Sequence, residues 1–423
     1  MPQNQPPLPI AIIGLGLSGQ SALDLLLGRG IPRERIITHD QKSPCDARTP
    51  EEVIARNPET LVVSPGVPLR TPWIQQLLKQ GVRLSSELEL AAQCLTSEKV
   101  VGITGAVGKS TVTSLLGAGL DAAGISNFTG GNLGFPFARY ALERVKDQRP
   151  PAEYVVLELS SYQLENFASF KPGSTILTSL TPNHLERYDS LEEYYETKLS
   201  LAAKTPGPRF FNNSGLDLTK YRDRFQDARD HWTDRHDLAA ENFQKMKMVG
   251  LHNRDNLALV WSWGQAHAMP PEFYQGLLNF PGLAHRLENL GERDGILFLN
   301  DSKATTMASV LQAADSVAEL VAHRKSAHLL LGGRDKNLPW EQLNALKGRG
   351  FQFHFFGECG ELARAKSALP GEVSPTLAAA LDHILPSLKS GAMLLLSPGG
   401  TSLDEFKSFE DRGDFFRKRT SKP

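Results

Sequence analysis

The stretch Val100–Leu120, VVGITGAVGKSTVTSLLGAGL, places Gly105, Gly108, Lys109, Ser110 and Thr111 just after an apolar run. That is a strand feeding a glycine-rich loop that opens a helix near Lys109. Glycines let backbone N–H groups curl around phosphate oxygens, and the helix N-terminus adds partial positive charge. A lysine adds a full charge, and a hydroxyl such as Ser110 can hold Mg²⁺. The pattern G-x-x-x-x-G-K-[ST] would need its first glycine at Ile103, so the loop is a variant, T-G-x-x-G-K-S. The alternative is a glycine-rich turn with no ligand. A strand before it and a helix after it favour a nucleotide phosphate site.

A second glycine set, Gly14, Gly16 and Gly19, has G-x-G-x-x-G spacing, and Asp40 ends the next apolar run, RIITHD. That spacing suits a dinucleotide-type fold with the acid on a ribose. NAD, another nucleotide-linked diphosphate and an unliganded tight turn all remain open on this evidence. Glu158 ends the run YVVLE. A carboxylate in a buried strand is costly unless paired or metal-bound, so it either reaches a metal held by Ser110 or is a satisfied structural acid.

Ser190 and Glu193 predict a helix start of the S-x-x-E type. On that helix Leu191, Tyr195, Lys198, Leu199 and Ala202 share one face. Lys198 on an apolar stripe is either a snorkelling ammonium or an amine with a lowered pKa or a modification. His184, just upstream, is by itself no more than a core or surface histidine. Arg286, Asp301, Lys303, Lys336 and Ser402 fall in loops after apolar runs, where cations suit phosphates and carboxylates. Ser402 also opens S-x-x-E, which predicts a cap for the last helix.

Three stretches of alternating strand and helix patterns must position these residues, the second and third beginning near residues 98 and 282. The strand-like runs include LPIAIIGLG, RERIITHD and TLVVSP, then EKVVGITG, EYVVLELSS and STILTSLT, then GILFLNDS, SAHLLLGG, FQFHFFG and GAMLLLSPGG. Such alternation predicts parallel sheets covered by helices, with ligands at the carboxyl ends of the strands. The segment 209–237 is polar and gives no clear pattern. CLTSEK and NFPGLAH read as linkers.

The chain of 423 residues carries a formal net charge of −1, which gives no electrostatic reason to expect nucleic acid or an anionic membrane. Cys45, Cys94 and Cys359 are scattered and suggest free thiols in a reducing compartment. The N-terminus lacks the basic region of a signal peptide, and no apolar run is long enough to span a membrane. A cytoplasmic protein is expected.

Taken in order, T-G-x-x-G-K-S, LELSSYQLE, NHLERY, a helical lysine, HNRDN, AHRLE, NDSKAT, GGRDK and SPGGTSLDEF resemble the Mur ligase family along nearly the whole chain, most closely its D-glutamate-adding members. The resemblance implies an α/β protein of three domains. Residues 1–95 would be a Rossmann-like domain binding the UDP substrate. Residues 96–281 would be a central P-loop-type ATPase domain binding ATP and Mg²⁺, and residues 282–423 a Rossmann-like domain bringing the amino acid.

The same resemblance implies ATP-dependent amide formation between UDP-N-acetylmuramoyl-L-alanine and D-glutamate by a monomer. It puts Leu17, Ser18, Asp40, Gly66, Asn132 and Gln163 near the UDP substrate. Gly105, Gly108, Lys109, Ser110, Thr111, Asn256, Arg286 and Asp301 would contact ATP, and Thr305, Lys336, Ser402 and Phe409 the glutamate. Lys109, Glu158, His184 and Lys198 would be the catalytic set. Ser110, Glu158, His184 and a carbamylated Lys198 would face the metal ions. Ala106, Val107, Asn183, Gln41, Lys42 and the segment SPGGTSLDEF depart from the family pattern; backbone N–H groups at 106 and 107 would still be available to phosphate. Rival readings are a folylpolyglutamate-type ligase with another amino acid, an ATP-binding regulator without turnover, and an NAD-dependent oxidoreductase. The last would leave Lys109 without a role.

Overall fold

The computed structural model describes residues 5–166, 169–182 and 187–421. Three sheets run in chain order. The first contains β1 (Ile10–Ile13), β2 (Ile36–His39), β3 (Thr60–Val63) and β4 (Arg83–Ser85), all parallel, in the order β2-β1-β3-β4. The second contains β5 (Lys99–Thr104), β6 (Asn127–Gly131), β7 (Tyr154–Glu158), β8 (Ser174–Leu177), β9 (Arg209–Asn212) and β10 (Asp230–Thr233). Its order is β10-β9-β8-β5-β7-β6, again parallel throughout. The third contains β11 (Glu288–Arg293), β12 (Ile296–Asn300), β13 (Ser326–Gly332), β14 (Phe351–Phe356), β15 (Gly371–Ser374) and β16 (Ala392–Gly399). Here the order is β11-β12-β16-β13-β14-β15, parallel except for the edge pair β11 and β12.

The described residues form two compact units, one of Met1–Leu238 with Asp255–Leu277, the other of Ala239–Arg254 with Leu278–Pro423. The first unit holds the first two sheets and the second holds the third. Strands such as IAII, TLVV and YVVLE are buried at every position. That is the continuous apolar pattern of parallel strands covered on both faces. Each fully buried Ile, Leu or Val contributes about 1.5–3 kcal/mol relative to exposure.

Within the first unit, carboxylates join the two sheets' layers. Glu89, in the short helix Glu87–Ala92, accepts the N–H groups of Ser169 and Phe170 at 2.8 and 2.9 Å. Its neighbour Glu87 accepts the Ala138 N–H at the start of helix Phe137–Val145. Burial, opposed by that single bond, pushes the Glu87 carboxyl up to about 7.

The helix predicted after Ser190 runs Leu191–Lys204, and Tyr195, Lys198, Leu199 and Ala202 are buried on it. Only half of the expected box forms. Ser190 accepts the Glu193 N–H at 3.1 Å, while the Glu193 carboxylate takes the Asp189 N–H at 2.8 Å instead. The expected cap at Ser402 does not form. The last helix is Phe409–Thr420, and Ser408 caps it by accepting the Asp411 N–H. Residues 402–406 form a turn instead, with the Phe406 N–H bonded to the Ser402 carbonyl at 2.8 Å. Glu405, the supposed partner, accepts the Leu377 N–H.

Candidate active site

The carboxyl ends of four adjacent strands, β8, β5, β7 and β6, gather the central constellation. After β5 the chain turns through Gly105 and Gly108, at φ +146° and +90°, into helix Lys109–Ala122. Both positions need glycine twice over. A Cβ at Gly105 would lie 2.1 Å from Thr178 Oγ1, and one at Gly108 would lie 2.7 Å from Asn256 Oδ1. Asn256, buried at 4% exposure, is thereby brought against the loop.

The first-turn N–H groups at 109–111 have no intrahelical acceptor by helix geometry, so they and the helix dipole face the loop's concavity. The N–H groups of Ala106 and Val107 do not. They bond to the Ser179 carbonyl at 2.8 Å and to the Ser179 hydroxyl at 3.0 Å. The expectation that these two would serve phosphate is corrected on that point: the neighbouring strand already uses them. Lys109 Nζ donates to the Ala106 carbonyl at 3.0 Å.

Glu158 ends β7 at 2% exposure. Its Oε1 accepts from Asn132 Nδ2 at 2.8 Å, and its carbonyl accepts the Asn132 N–H at 2.9 Å. Gly131, at φ +97°, permits this approach, since a Cβ there would lie 2.5 Å from the Glu158 carbonyl oxygen. Glu158 Oε2 is buried and has no hydrogen-bond partner among the described residues. An unpartnered buried carboxylate oxygen is expensive, and it suits a hard divalent cation, which takes oxygen ligands.

Lys198 does not snorkel. It is 1% exposed, and its Nζ donates to the Gly105 carbonyl at 2.8 Å, 4.9 Å from the Tyr194 ring centre. Burial, then the nearby Lys109 charge, pull its pKa down to about 7 against the pull of Glu158. An amine so placed is partly neutral near pH 7, which is the form that reacts with CO₂. The Lys198 amine, the phosphate loop and the buried carboxylate thus share one sheet end. His184 and Asn183 lie outside the described residues. Among the described residues no three His, Cys, Asp or Glu side chains form a metal cluster.

The first sheet builds its own cleft at the ends of β1, β2 and β3. Gly14 sits at φ +87°, and Ser64 donates to its carbonyl at 2.7 Å. Gly19 opens the path for the turn, since a Cβ there would strike the Gly14 carbonyl at 1.9 Å. Asp40 binds the N–H groups of Leu15, Lys42 and Ser43 at 2.6, 2.7 and 2.7 Å. Those bonds hold its carboxyl down to about 2. Asp40 is therefore first an organiser of the loops bordering the cleft, which Gly66, Lys42 and Trp73 also line. Leu17 and Ser18 start helix Leu17–Gly28, Leu17 exposed and Ser18 half-buried. Gln163 is 5% exposed, and its side-chain oxygen caps helix Ser161–Glu165 through Ser160.

In the second unit, β12, β16 and β13 are neighbours, so the loops that follow them share an edge. They carry Asp301 and Thr305, then Ser402 (with Phe409 opening the helix that follows), then Lys336. Asp301, 8% exposed, accepts from the Leu287 N–H at 3.0 Å and the Ser397 hydroxyl at 2.8 Å. Burial, opposed by those bonds and by the neighbouring Arg286, raises its carboxyl to about 7. Lys303 lies 4.0 Å from the Phe409 ring centre, a cation–π contact.

Sequence reading missed Arg412. It is 0% exposed, and it donates to the Ser302 hydroxyl and carbonyl and to the Gly400 carbonyl at 3.0, 2.8 and 3.1 Å. It ties the loop after β12 to the loop after β16. Burial draws its guanidinium down to about 10. Sitting in FEDRG, among charges, it reads as a surface residue. Arg187 was missed as well. It pairs with Glu165 at 2.7 Å and donates to the carbonyls of Pro65 and Val67, on either side of Gly66.

The Mur ligase middle domain family matches residues 103–267. A UDP-N-acetylmuramoylalanine--D-glutamate ligase of Haemophilus influenzae is 33% identical over 96% of this chain and 96% of its own length. One of Synechococcus sp. is 34% identical over 96% and 97%, and one of Desulfatibacillum aliphaticivorans 30% over 96% and 97%. Two crystal structures share the fold. A UDP-N-acetylmuramate-alanine ligase of Thermotoga maritima, 16% identical, covers 98% of this chain and 100% of its own at a TM-score of 0.56. A MurF ligase of the same organism, in complex with ADP, is also 16% identical and covers 87% and 90% at 0.53. With 30–34% identity to these relatives along almost its entire length, the chain belongs to the UDP-N-acetylmuramoylalanine--D-glutamate ligase family of Mur ligases.

Proposed function

We propose that the chain is an ATP-dependent, ADP-forming ligase that adds D-glutamate to UDP-N-acetylmuramoyl-L-alanine in peptidoglycan precursor synthesis. The observation that carries the reading is the meeting, at one sheet end, of a phosphate loop, a buried carboxylate with an unpartnered oxygen and a buried amine. The relatives' shared name supplies the substrates.

In this reading three domains, 1–95, 96–281 and 282–423, bring the UDP substrate, ATP and the amino acid. Leu17, Ser18, Asp40, Gly66, Asn132 and Gln163 serve the first. Gly105, Gly108, Lys109, Ser110, Thr111, Asn256, Arg286 and Asp301 serve ATP. Thr305, Lys336, Ser402 and Phe409 serve the glutamate. A carboxylate oxygen of the UDP substrate attacks the γ-phosphorus of ATP, and the bond to the ADP oxygen breaks. The glutamate amine then attacks the acyl carbon, phosphate leaves, the amine gives up a proton, and an amide remains.

Lys109 and the first-turn N–H groups offset the charge that builds on the transferring phosphoryl group, and they do so without reorganising. Mg²⁺ would supply further charge neutralisation at those oxygens; Ser110, Glu158 and His184 would hold it, together with Lys198 as its carbamate. The unpartnered Glu158 oxygen supports that set. Excluding water from the acyl phosphate is the task of the surrounding loops. No described helix is long and apolar enough to cross a membrane, and all three cysteines are free. In this reading the protein works on small molecules, as a monomer in the cytoplasm.

The test is phosphate release from ATP in the presence of UDP-N-acetylmuramoyl-L-alanine, with and without each glutamate enantiomer. Release that depends on the D enantiomer is expected. Release driven equally by another amino acid would move the protein to a different ligase.

A further inference from the structure

Nothing in the side chains of Ala106 and Val107 can hold the phosphate loop in shape. Ala106 ends at a methyl group, and Val107 is 45% exposed. The loop's backbone is nevertheless bonded, and the partners of the Ala106 N–H and of both Val107 backbone groups come from the end of β8. The Ser179 carbonyl accepts the Ala106 N–H at 2.8 Å. The Ser179 hydroxyl accepts the Val107 N–H at 3.0 Å and donates to the Val107 carbonyl at 3.1 Å. Thr178 donates to that same carbonyl at 2.5 Å, and its Oγ1 occupies the space that a side chain at 105 would need. One serine and one threonine therefore grip three successive peptide units. The donor and acceptor count is consistent, since each hydroxyl has one proton and a carbonyl oxygen has two lone pairs. Thr178 and Ser179 are 1% and 7% exposed, so water does not compete strongly for these bonds.

We propose that Thr178 and Ser179 are positioning residues for the phosphate loop, holding from outside a loop whose own side chains cannot. The proposal rests on the phosphate-site reading above. The Ala106 peptide is the link to the charge that matters. Its N–H is fixed by Ser179, and its carbonyl receives the Lys109 ammonium at 3.0 Å. A loop fixed at 106 and 107 presents the N–H groups of 108–111 and the lysine in one arrangement before nucleotide arrives. Less ordering is then left to be done on binding.

The test uses the full chain, with ATP and magnesium as the probe in equilibrium binding, and steady-state kinetics for each substrate. Ser179→Ala removes both hydroxyl bonds and should raise the dissociation constant and KM for ATP about tenfold. The KM for UDP-N-acetylmuramoyl-L-alanine should stay within about twofold and the melting temperature nearly unchanged. Thr178→Val, of the same shape, should act in the same direction. Ser179→Thr, which keeps the hydroxyl, should recover most of the ATP affinity.

Unchanged ATP binding in both Ser179→Ala and Thr178→Val, with binding lost in Lys109→Ala, would overturn the positioning role and leave the phosphate site standing. Tighter ATP binding in Ser179→Ala would also overturn it, because Ser179 would then be a competitor for the N–H groups. If the unaltered protein and Lys109→Ala bind ATP equally, or neither binds it, the phosphate-site reading fails and this proposal falls with it. A general loss of affinity for both substrates with a lowered melting temperature would reduce the pair to ordinary packing residues.

Discussion

Lys198 Nζ donates to the Gly105 carbonyl across 2.8 Å, so the helix behind β8 and the loop after β5 meet through one buried amine. The contact puts an ionisable nitrogen where no solvent reaches it, beside a second lysine and a carboxylate. Its protonation state is then a property of the whole constellation.

Lys198 should prove intolerant even of a conservative change. Lys198→Arg keeps a cation but cannot carry a carbamate, and activity should fall by at least about a hundredfold. Lys198→Ala should be similarly impaired, and partly restored by acetate or formate, which can occupy the vacated space. Normal turnover in Lys198→Arg would refute the carbamate.

The same amine should leave a mark on stability. Its pKa is near 7 folded against 10.5 for the ordinary side chain. Between those values the unfolded chain binds more protons than the folded one, so stability should rise with pH. The cost of burying the ammonium is fully present below about pH 7. In carbon-dioxide-free buffer, Lys198→Met should exceed the unaltered protein in melting temperature most at pH 6–7, and the gap should close towards pH 10. A gap that is constant with pH would show that the amine stays charged when buried.

Asp301 should behave in the opposite sense. Its carboxyl sits near 7 folded against 3.8 otherwise, so the folded state binds the extra proton. Stability from this group is greatest below about pH 4 and is lost as pH rises to 7. Asp301→Asn should therefore raise the melting temperature more at pH 8 than at pH 5 while weakening ATP binding. Thermal melts across that range, with and without ATP, check both halves.

Lys109→Ala should abolish turnover, by about a hundredfold or more, while leaving the fold intact. The double change Ala106→Thr with Val107→Asn should alter kcat by less than about threefold, because β8 already holds those peptides. A large gain in rate would show that the present residues are functional losses.

Glu158→Gln keeps an acceptor for Asn132 and removes the charge whose second oxygen has no described partner. Activity should fall at least about a hundredfold. Stabilisation of the ATP-bound protein by added Mg²⁺, read as a thermal shift, should largely disappear. A full magnesium response in this variant would place the cation elsewhere.

Much of this architecture could be read from pattern alone, for a physical reason. Runs such as YVVLE and AMLLLSPG are buried on both faces and advertise themselves by composition. The glycines at 14, 19, 105 and 108 are dictated by backbone geometry that leaves a signature in spacing. The edge strands β11 and β15 and the glycine-rich β6 escaped notice, because ENLGER, GEVS and NFTGG are polar or lack side chains to bury. Arg412 and the grip of Ser179 on Val107 were invisible for another reason. Both are made by residue types usually found in water, across sequence separations of 110 and 72, and nothing local announces them. At Ser402 the local motif misled. Ser408-x-x-Asp411, six residues on, competed for the same helix and won, because the chain between them is committed to a turn.

The position of β16 in its sheet sets an order of assembly. Strands β12 and β13 never touch as neighbours; β16, the last strand made, lies between them. A nascent chain that has emerged only as far as residue 391 owns two sheet fragments with unsatisfied edges and nothing to join them. The loops carrying Thr305 and Lys336 would be attached to separate fragments. Insertion of Ala392–Gly399, followed by delivery of Arg412 from the final helix, closes the sheet and gathers its loops in one late step. During synthesis the chain's first two sheets can therefore be complete well before the third sheet closes, and chaperone demand should peak while that gap stands open.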